Sequence, residues 1–192
     1  PPRLLGTLPA DQSVNVTGRI VELYFDEWIE VKSLTQNLQI TPLSEIKYKQ
    51  RLKRNILTLE FEKDFEPNTT YTFEFGEAIR DITEHNKAQN IRIAFSTGDF
   101  IDSLGVKGRV VRSLQNSIVE GAVVSLYPKG DTLDIDSGKP MYFTRTDSLG
   151  LYNLRNIKAG EYQIYALYEP KHNLIYQKHQ TFHQHKALYL WL

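Results

Sequence analysis

The chain has no cysteine and a single methionine in 192 residues. A disulfide framework, a zinc ribbon and a thiol nucleophile are therefore excluded. Lys and Arg number 23 and Asp and Glu number 23, so the formal net charge is zero. A dedicated nucleic-acid binder draws its affinity from neutralising phosphates, so nucleic acid is not an expected partner. No apolar run reaches the roughly 18 residues of a membrane-spanning helix. No secretory leader pattern is present either. The chain opens Pro1-Pro2-Arg3 rather than on Met. That reads as a processed or cut chain, so the missing leader argues for no compartment. The G-x-S-x-G elbow, the G-x-G-x-x-G fingerprint and the Walker pattern are all missing. No two acids stand in a recognisable glycosidase setting. The expectation is a protein that is not an enzyme, with no cofactor.

What is present is aromatic and alternating. The 9 Phe, 11 Tyr and 2 Trp argue against intrinsic disorder. Val21, Leu23 and Phe25 share one parity. So do Leu57, Leu59 and Phe61, then Tyr71, Phe73 and Phe75, then Ile91, Ile93 and Phe95. Side chains alternate faces along a strand, so each run predicts an antiparallel strand with one face on a core and one in water. Breaker clusters at Glu66-Pro67-Asn68, Thr83–Asn86, Lys129-Gly130-Asp131, Asp147–Gly150 and Ala159-Gly160 punctuate these runs. Spacing of about ten residues or slightly more predicts a sandwich or barrel. Only Ser33–Leu38 offers a helical turn. A small polar stretch at residues 99–103 reads as a linker between modules at 1–99 and 104–192, each near the size of an Ig-like sandwich.

Specific motifs carry a resemblance. Pro1-Pro2-Arg3, Leu8-Pro9-Ala10-Asp11, Leu23-Tyr24-Phe25-Asp26-Glu27, Phe65-Glu66-Pro67-Asn68-Thr69-Thr70-Tyr71, Ile79-Arg80-Asp81 and Phe95-Ser96-Thr97-Gly98 run in register over residues 1–99. In that register the first module resembles the bacterial Ig-like domain of the S-layer-protein type. His85-Asn86 departs from the Gly-Asn that the family prefers, which predicts a looser turn. On physical grounds Pro67-Asn68 sets a turn, and Tyr71 is placed to bond nearby backbone, as in a tyrosine corner. Asp81 can cap the loop that follows it. The second module carries Val106–Val110, Glu120-Gly121-Ala122-Val123-Val124-Ser125-Leu126, Thr146-Asp147-Ser148-Leu149-Gly150-Leu151-Tyr152 and Gly160-Glu161-Tyr162. It resembles the carboxypeptidase-regulatory-like and Cna B-type domains, which share a transthyretin-like sandwich. A hairpin is expected at Asp147–Gly150, with sharp backbone turns at Gly121 and Gly160. Some Cna B-type domains carry a Lys–Asn isopeptide bond helped by a Glu. Here those Lys and Glu positions fall on Val110 and Ala166, while Lys107 and Glu169 are off register, so no such bond is expected.

The candidate binding residues are few. Trp28, Tyr142, Tyr165 and Tyr168 are aromatics that suit a protein or carbohydrate interface if exposed, of which Trp28 and Tyr165 are the candidate ligand contacts. The simpler reading is that such rings cover core edges. Lys47, Lys49, Arg51 and Lys53 form either a basic stripe for an acidic ligand or the solvated face of an edge strand, where Lys blocks edge-to-edge pairing. Asp131, Asp134 and Asp136 allow a weak calcium reading, but the position of the twelfth-place Glu of an EF-hand is Arg145. His179, His183 and His185 allow a zinc reading, and with it a remote metal-dependent enzyme, but the tail has no clear period and no acid nearby to act as base. No metal is expected. Leu188–Leu192 is apolar enough to finish a sheet.

The fold expected is all-β: two tandem antiparallel β-sandwiches, Ig-like then transthyretin-like. The resemblance implies an extracytoplasmic cell-envelope location, periplasmic or as an outer-membrane lipoprotein. Membrane contact would then run only through a lipid anchor on a Cys upstream of this chain. The expected role is that of a non-catalytic spacer or binding module. Its partner would be an envelope or surface protein or a glycan, with a carbohydrate-binding accessory module as the alternative.

Overall fold

The computed structural model describes residues 1–43, 46–112, 117–129 and 140–167, and the backbone alone of 188–191. The chain divides into two compact units, Pro1–Ile101 and Asp102–Leu192. Nearly all of the regular structure is strand, and the pairings are antiparallel.

The first unit runs β1 (Leu4–Leu8), β2 (Ile20–Phe25), β3 (Ile29–Val31), one helical turn α1 (Leu34–Asn37), β4 (Gln39–Thr41), β5 (Tyr48–Lys53), β6 (Ile56–Phe61), β7 (Thr70–Glu74), β8 (Ile79–Asp81) and β9 (Arg92–Ser96). One sheet has the order β1-β2-β6-β5 and the other β4-β7-β9, with β3 and β8 as a separate ribbon. The period-two runs supply the core: Val21, Leu23, Phe25, Leu57, Leu59 and Phe61 are at most 1% exposed. Phe65 sits among rings from both sheets, 5.1 Å from Phe61, 4.9 Å from Tyr71 and 5.2 Å from Phe95. Tilted aromatic contacts of this kind add stability beyond the area they bury. Residues 11–16 cover the outer edge of β9: Gln12 N–H donates to Ala94 O at 2.6 Å, and Ser96 N–H to Ser13 O at 2.9 Å.

The alternation misleads at β7. Thr70 and Thr72, expected to face water, are buried together with Ala94 and Ser96 directly opposite on β9. The strand is central, flanked by β4 and β9. Short side chains on a central strand lie in the shade of their neighbours.

The second unit runs β10 (Leu104–Arg109), β11 (Val111–Arg112), β12 (Ser117–Ile118), β13 (Val123–Pro128), β14 (Tyr142–Arg145), β15 (Leu151–Ile157), β16 (Glu161–Leu167) and β17 (Leu188–Trp191). Its sheets are β14-β13-β16-β17, β10-β15 and the short pair β11-β12. Val124, Leu126, Tyr142, Leu154, Ile157, Tyr162 and Ile164 form its core. The other face of β13 is buried as well, at Val123, Ser125 and Tyr127, which accounts for a nearly continuous apolar run in an antiparallel strand. The apolar tail closes the sheet as β17, paired with β16.

The Asp147–Gly150 segment is a correction. The turn forms: Gly150 N–H donates to Asp147 O at 2.9 Å, and the Asp147 carboxylate accepts N–H groups of Leu149 and Leu151 at 2.8 and 2.9 Å. But β14 and β15 belong to different sheets, so this is a crossover and not a hairpin. Gly150 is required there, with φ +73° and a Cβ position 2.8 Å from Val110 O.

Candidate functional site at the Trp28 end of the first unit

The end of the first unit that carries Trp28 is built by backbone and amide bonding. Asp26 ties down the amino-terminal strand: its carboxylate accepts Arg3 N–H at 2.8 Å, and its own N–H donates to Arg3 O at 3.1 Å. The β5–β6 turn places Arg54 in the left-handed region, φ +57°. Asn55 locks this turn to β2, its Nδ2 donating to Phe25 O at 2.7 Å while its O accepts Phe25 N–H at 2.9 Å. Ile29 N–H then donates to Arg54 O at 3.1 Å, and Ile82 N–H to Trp28 O at 3.4 Å. Trp28 is thus flanked on both sides by held backbone.

The Trp28 residue is 59% exposed and Ile82 47% exposed. The Arg54 guanidinium lies over the indole, 5.6 Å from the ring centroid. A cation over an exposed ring contributes about 0.5–1 kcal/mol, enough to bias its orientation. The arrangement offers an oriented aromatic surface with an adjacent cation. Such a surface can stack on a flat apolar face and hydrogen-bond to oxygens at its rim.

Beside it, Asp81 organises the loop after β8. Its Oδ1 accepts N–H groups of Glu84 and His85 at 2.5 and 3.1 Å, and its Oδ2 accepts that of Asn86 at 3.0 Å. These bonds, that from Glu84 first, hold its carboxyl below the ordinary range. The capping role expected of Asp81 is thus what the loop uses. His85 has φ +59°, a left-handed conformation that Gly adopts more readily. Its ring meets Glu30 at 2.8 Å, and Glu30 also pairs with Lys32 at 2.8 Å. The bond from Lys32, and after it that from His85, lowers the Glu30 carboxyl.

Other candidate residues lie elsewhere. Tyr165 is a correction: it is 7% exposed and packs edge-on against Tyr127 at 5.7 Å. β16 is an interior strand of its sheet, and both of its rings, Tyr162 and Tyr165, are buried. Tyr142 is 2% exposed, its hydroxyl accepts Lys158 N–H at 3.2 Å, and burial pushes its pKa up to about 12. Tyr162 donates to Lys158 O at 2.9 Å, so two core tyrosines hold the turn between β15 and β16. The basic row follows β5, an edge strand of its sheet, as the simpler reading has it. Arg51 pairs with Glu60 at 3.3 Å, and Arg19 shares that carboxylate at 3.6 Å. Glu169 lies outside the described residues. Asp131, Asp134, Asp136, Tyr168, His179, His183 and His185 also lie outside them. Among the described residues no group of three or more His, Cys, Asp or Glu is placed to hold a metal. Sequence reading missed Arg54 and Ile82. The Lys53-Arg54-Asn55 break between two alternating runs marks a turn, but only the β2–β6 pairing brings that turn to Trp28.

Two facing antiparallel sheets and a tyrosine whose hydroxyl accepts Glu66 N–H at 3.0 Å define an Ig-like sandwich in the first unit. The chain belongs to the bacterial Ig-like domain family, whose model matches residues 1–97. No curated protein matches it. Among solved structures it is similar to the T6 backbone pilin of serotype M6 Streptococcus pyogenes, at 11% identity and TM-score 0.34, covering 100% of this chain and 51% of that one. It is similar also to the N-terminal part of the bacterial S-layer protein SbsC, at 9% identity and TM-score 0.35, covering 99% and 43%. An L,D-transpeptidase from Mycobacterium smegmatis stands at 12% identity and TM-score 0.36, covering 88% and 77%. The chain spans about half the length of the pilin and of the transpeptidase LdtMt1.

Proposed function

We propose that this chain is a non-catalytic module of a bacterial cell-envelope or surface protein, located outside the cytoplasm, which acts as a spacer and presents loops to a protein or glycan. The observation that carries the proposal is the bacterial Ig-like family of residues 1–97. A carbohydrate-binding reading is favoured by one feature, the exposed Trp28 with Arg54 across its ring. Glycan-array binding by the purified chain, lost in Trp28→Ala with an unchanged melting temperature, supports that reading. A Trp28→Ala variant that binds as well as the parent removes it and leaves the spacer role.

We read the second unit as a carboxypeptidase-regulatory-like or Cna B-type sandwich. Support comes from the left-handed glycines Gly121 and Gly150 at the family's motif positions. In this reading the chain is anchored through a lipidated Cys upstream of Pro1. The sequence of the full-length precursor tests this: a lipobox Cys supports it, and a leader without one overturns it.

A further inference from the structure

Among the described residues β5 is an edge whose outward backbone groups meet no strand, and its charge lies on one face. Glu62 N–H donates to Lys47 O at 2.9 Å, and Phe61 N–H to Arg19 O at 2.9 Å. Residues of the parity of Glu62 therefore bond toward β5, and those of the parity of Phe61 toward β2. With Lys49 opposite Glu60, Arg51 opposite Thr58 and Lys53 opposite Ile56, those three basic residues turn their backbone groups inward to β6. Antiparallel pairs alternate in this respect. The backbone N–H and C=O groups of Tyr48, Gln50 and Leu52 hence point away from the sheet, and β6 is the strand's one neighbour among the described residues.

The two faces of this edge differ. Tyr48, Gln50 and Leu52 stand opposite the core residues Phe61, Leu59 and Leu57, so they share the core face. Tyr48 packs on the core, whereas Leu52 is 44% exposed. Lys49, Arg51 and Lys53 share the solvent face and are exposed. The unit's other edges are less open. Residues 11–16 cover β9, β4 has three residues, and the register of β1 is broken between Leu4 and Gly6.

We propose that β5 is a docking edge for an extended acidic strand from a partner protein, added to the sheet by backbone hydrogen bonds. Its acidic residues would alternate with apolar ones, the acids meeting Lys49, Arg51 and Lys53 and the apolar side chains meeting Tyr48 and Leu52. Charge selects this occupant. A second copy of β5 would set Lys and Arg against Lys and Arg across the new pair, which is unfavourable. The basic row thus blocks self-pairing and admits the opposite sign. The inference concerns a different face from Trp28 and stands apart from the glycan reading.

The test uses the full chain and a synthetic peptide of about six residues, a common strand length, alternating Glu and Val. A second peptide carries Lys in place of each Glu. The expected result is saturable binding of the Glu peptide, protection of the Tyr48, Gln50 and Leu52 amides from hydrogen exchange, and no binding of the Lys peptide. The double variant Lys49→Glu, Lys53→Glu alters two exposed side chains and should weaken binding at least about tenfold. Gln50→Pro removes an outward N–H while sparing the β6 ladder, as proline on an edge strand permits, and should abolish binding without lowering the charge. Binding unaffected in both variants, equal binding of the two peptides, or no binding at all overturns the proposal.

Discussion

The two units hold their turns with the same device at different depths. In the first, Asp81 is 3% exposed and receives three backbone N–H groups from residues 84–86. In the second, Asp147 is exposed and receives two, from Leu149 and Leu151. The tyrosines repeat the theme. Tyr71 accepts one N–H while its ring packs on Phe65 and Phe95, whereas Tyr142 and Tyr162 bracket Lys158 from both sides of its peptide. A chain without cysteine secures its loops by hydrogen bonds to backbone, and the burial of each bond decides how much each side chain matters.

That comparison can be broken at graded strength. The largest effect is expected at the aromatic cluster. Phe95→Ala should cost about 3–5 kcal/mol, read as a lower denaturation midpoint with loss of hydrogen-exchange protection in β7 and β9. Leu126→Ala in the second unit should cost about 2–5 kcal/mol and leave those amides protected at the local level.

Next come the two aspartates. Asp81→Ala should lower the melting temperature more than Asp147→Ala, since the former strands three amides beneath a closed loop. The acid limb follows with a definite sign. The folded pKa of Asp81 lies below its unfolded value of about 3.9, so the unfolded state binds the extra proton. The stabilisation is present above that unfolded value and is lost as pH falls through the folded one. Asp81→Asn should flatten the acid limb of a stability-against-pH curve, and an unchanged limb would sink the assignment.

Smaller still, Tyr71→Phe and Tyr142→Phe should each cost about 1 kcal/mol for a lost hydrogen bond. For Tyr142 the sign is reversed. Its folded pKa of about 12 lies above the ordinary tyrosine value of about 10, so its stabilisation is complete below about pH 10 and fades as pH rises toward 12. Tyr24, Tyr48, Tyr71, Tyr152 and Tyr162 are also raised, so phenolate absorbance should show a group of late-titrating tyrosines that loses one member in Tyr142→Phe. The smallest effect is expected at Trp28→Ala, within about 1 kcal/mol of the parent because the ring is exposed. Binding, not stability, is where that residue should register.

Much of this was legible in the chain. Alternation predicted β2, β6, β7 and β9 and the buried parity of each, because a strand's side chains must alternate faces. Pro67-Asn68 ahead of Tyr71 predicted the corner, since Asn tolerates the left-handed conformation that its φ of +49° requires. Asp81 was legible as a loop cap for a similar local reason. Trp28 was legible as a lone aromatic, but nothing local to it announced Arg54 as its neighbour.

Local chemistry therefore determined which residues extend, where the chain turns, and which parity of each strand is apolar. The tertiary structure alone decided which strands are central and which are edges. That choice buried Thr70 and Thr72 against their pattern, buried Tyr165, made a crossover of the Asp147 turn, and left Lys49, Arg51 and Lys53 on a strand that is an edge among the described residues. The physical reason is that side-chain parity is set by one residue's own backbone, whereas shading of the second face depends on strands paired from distant parts of the chain.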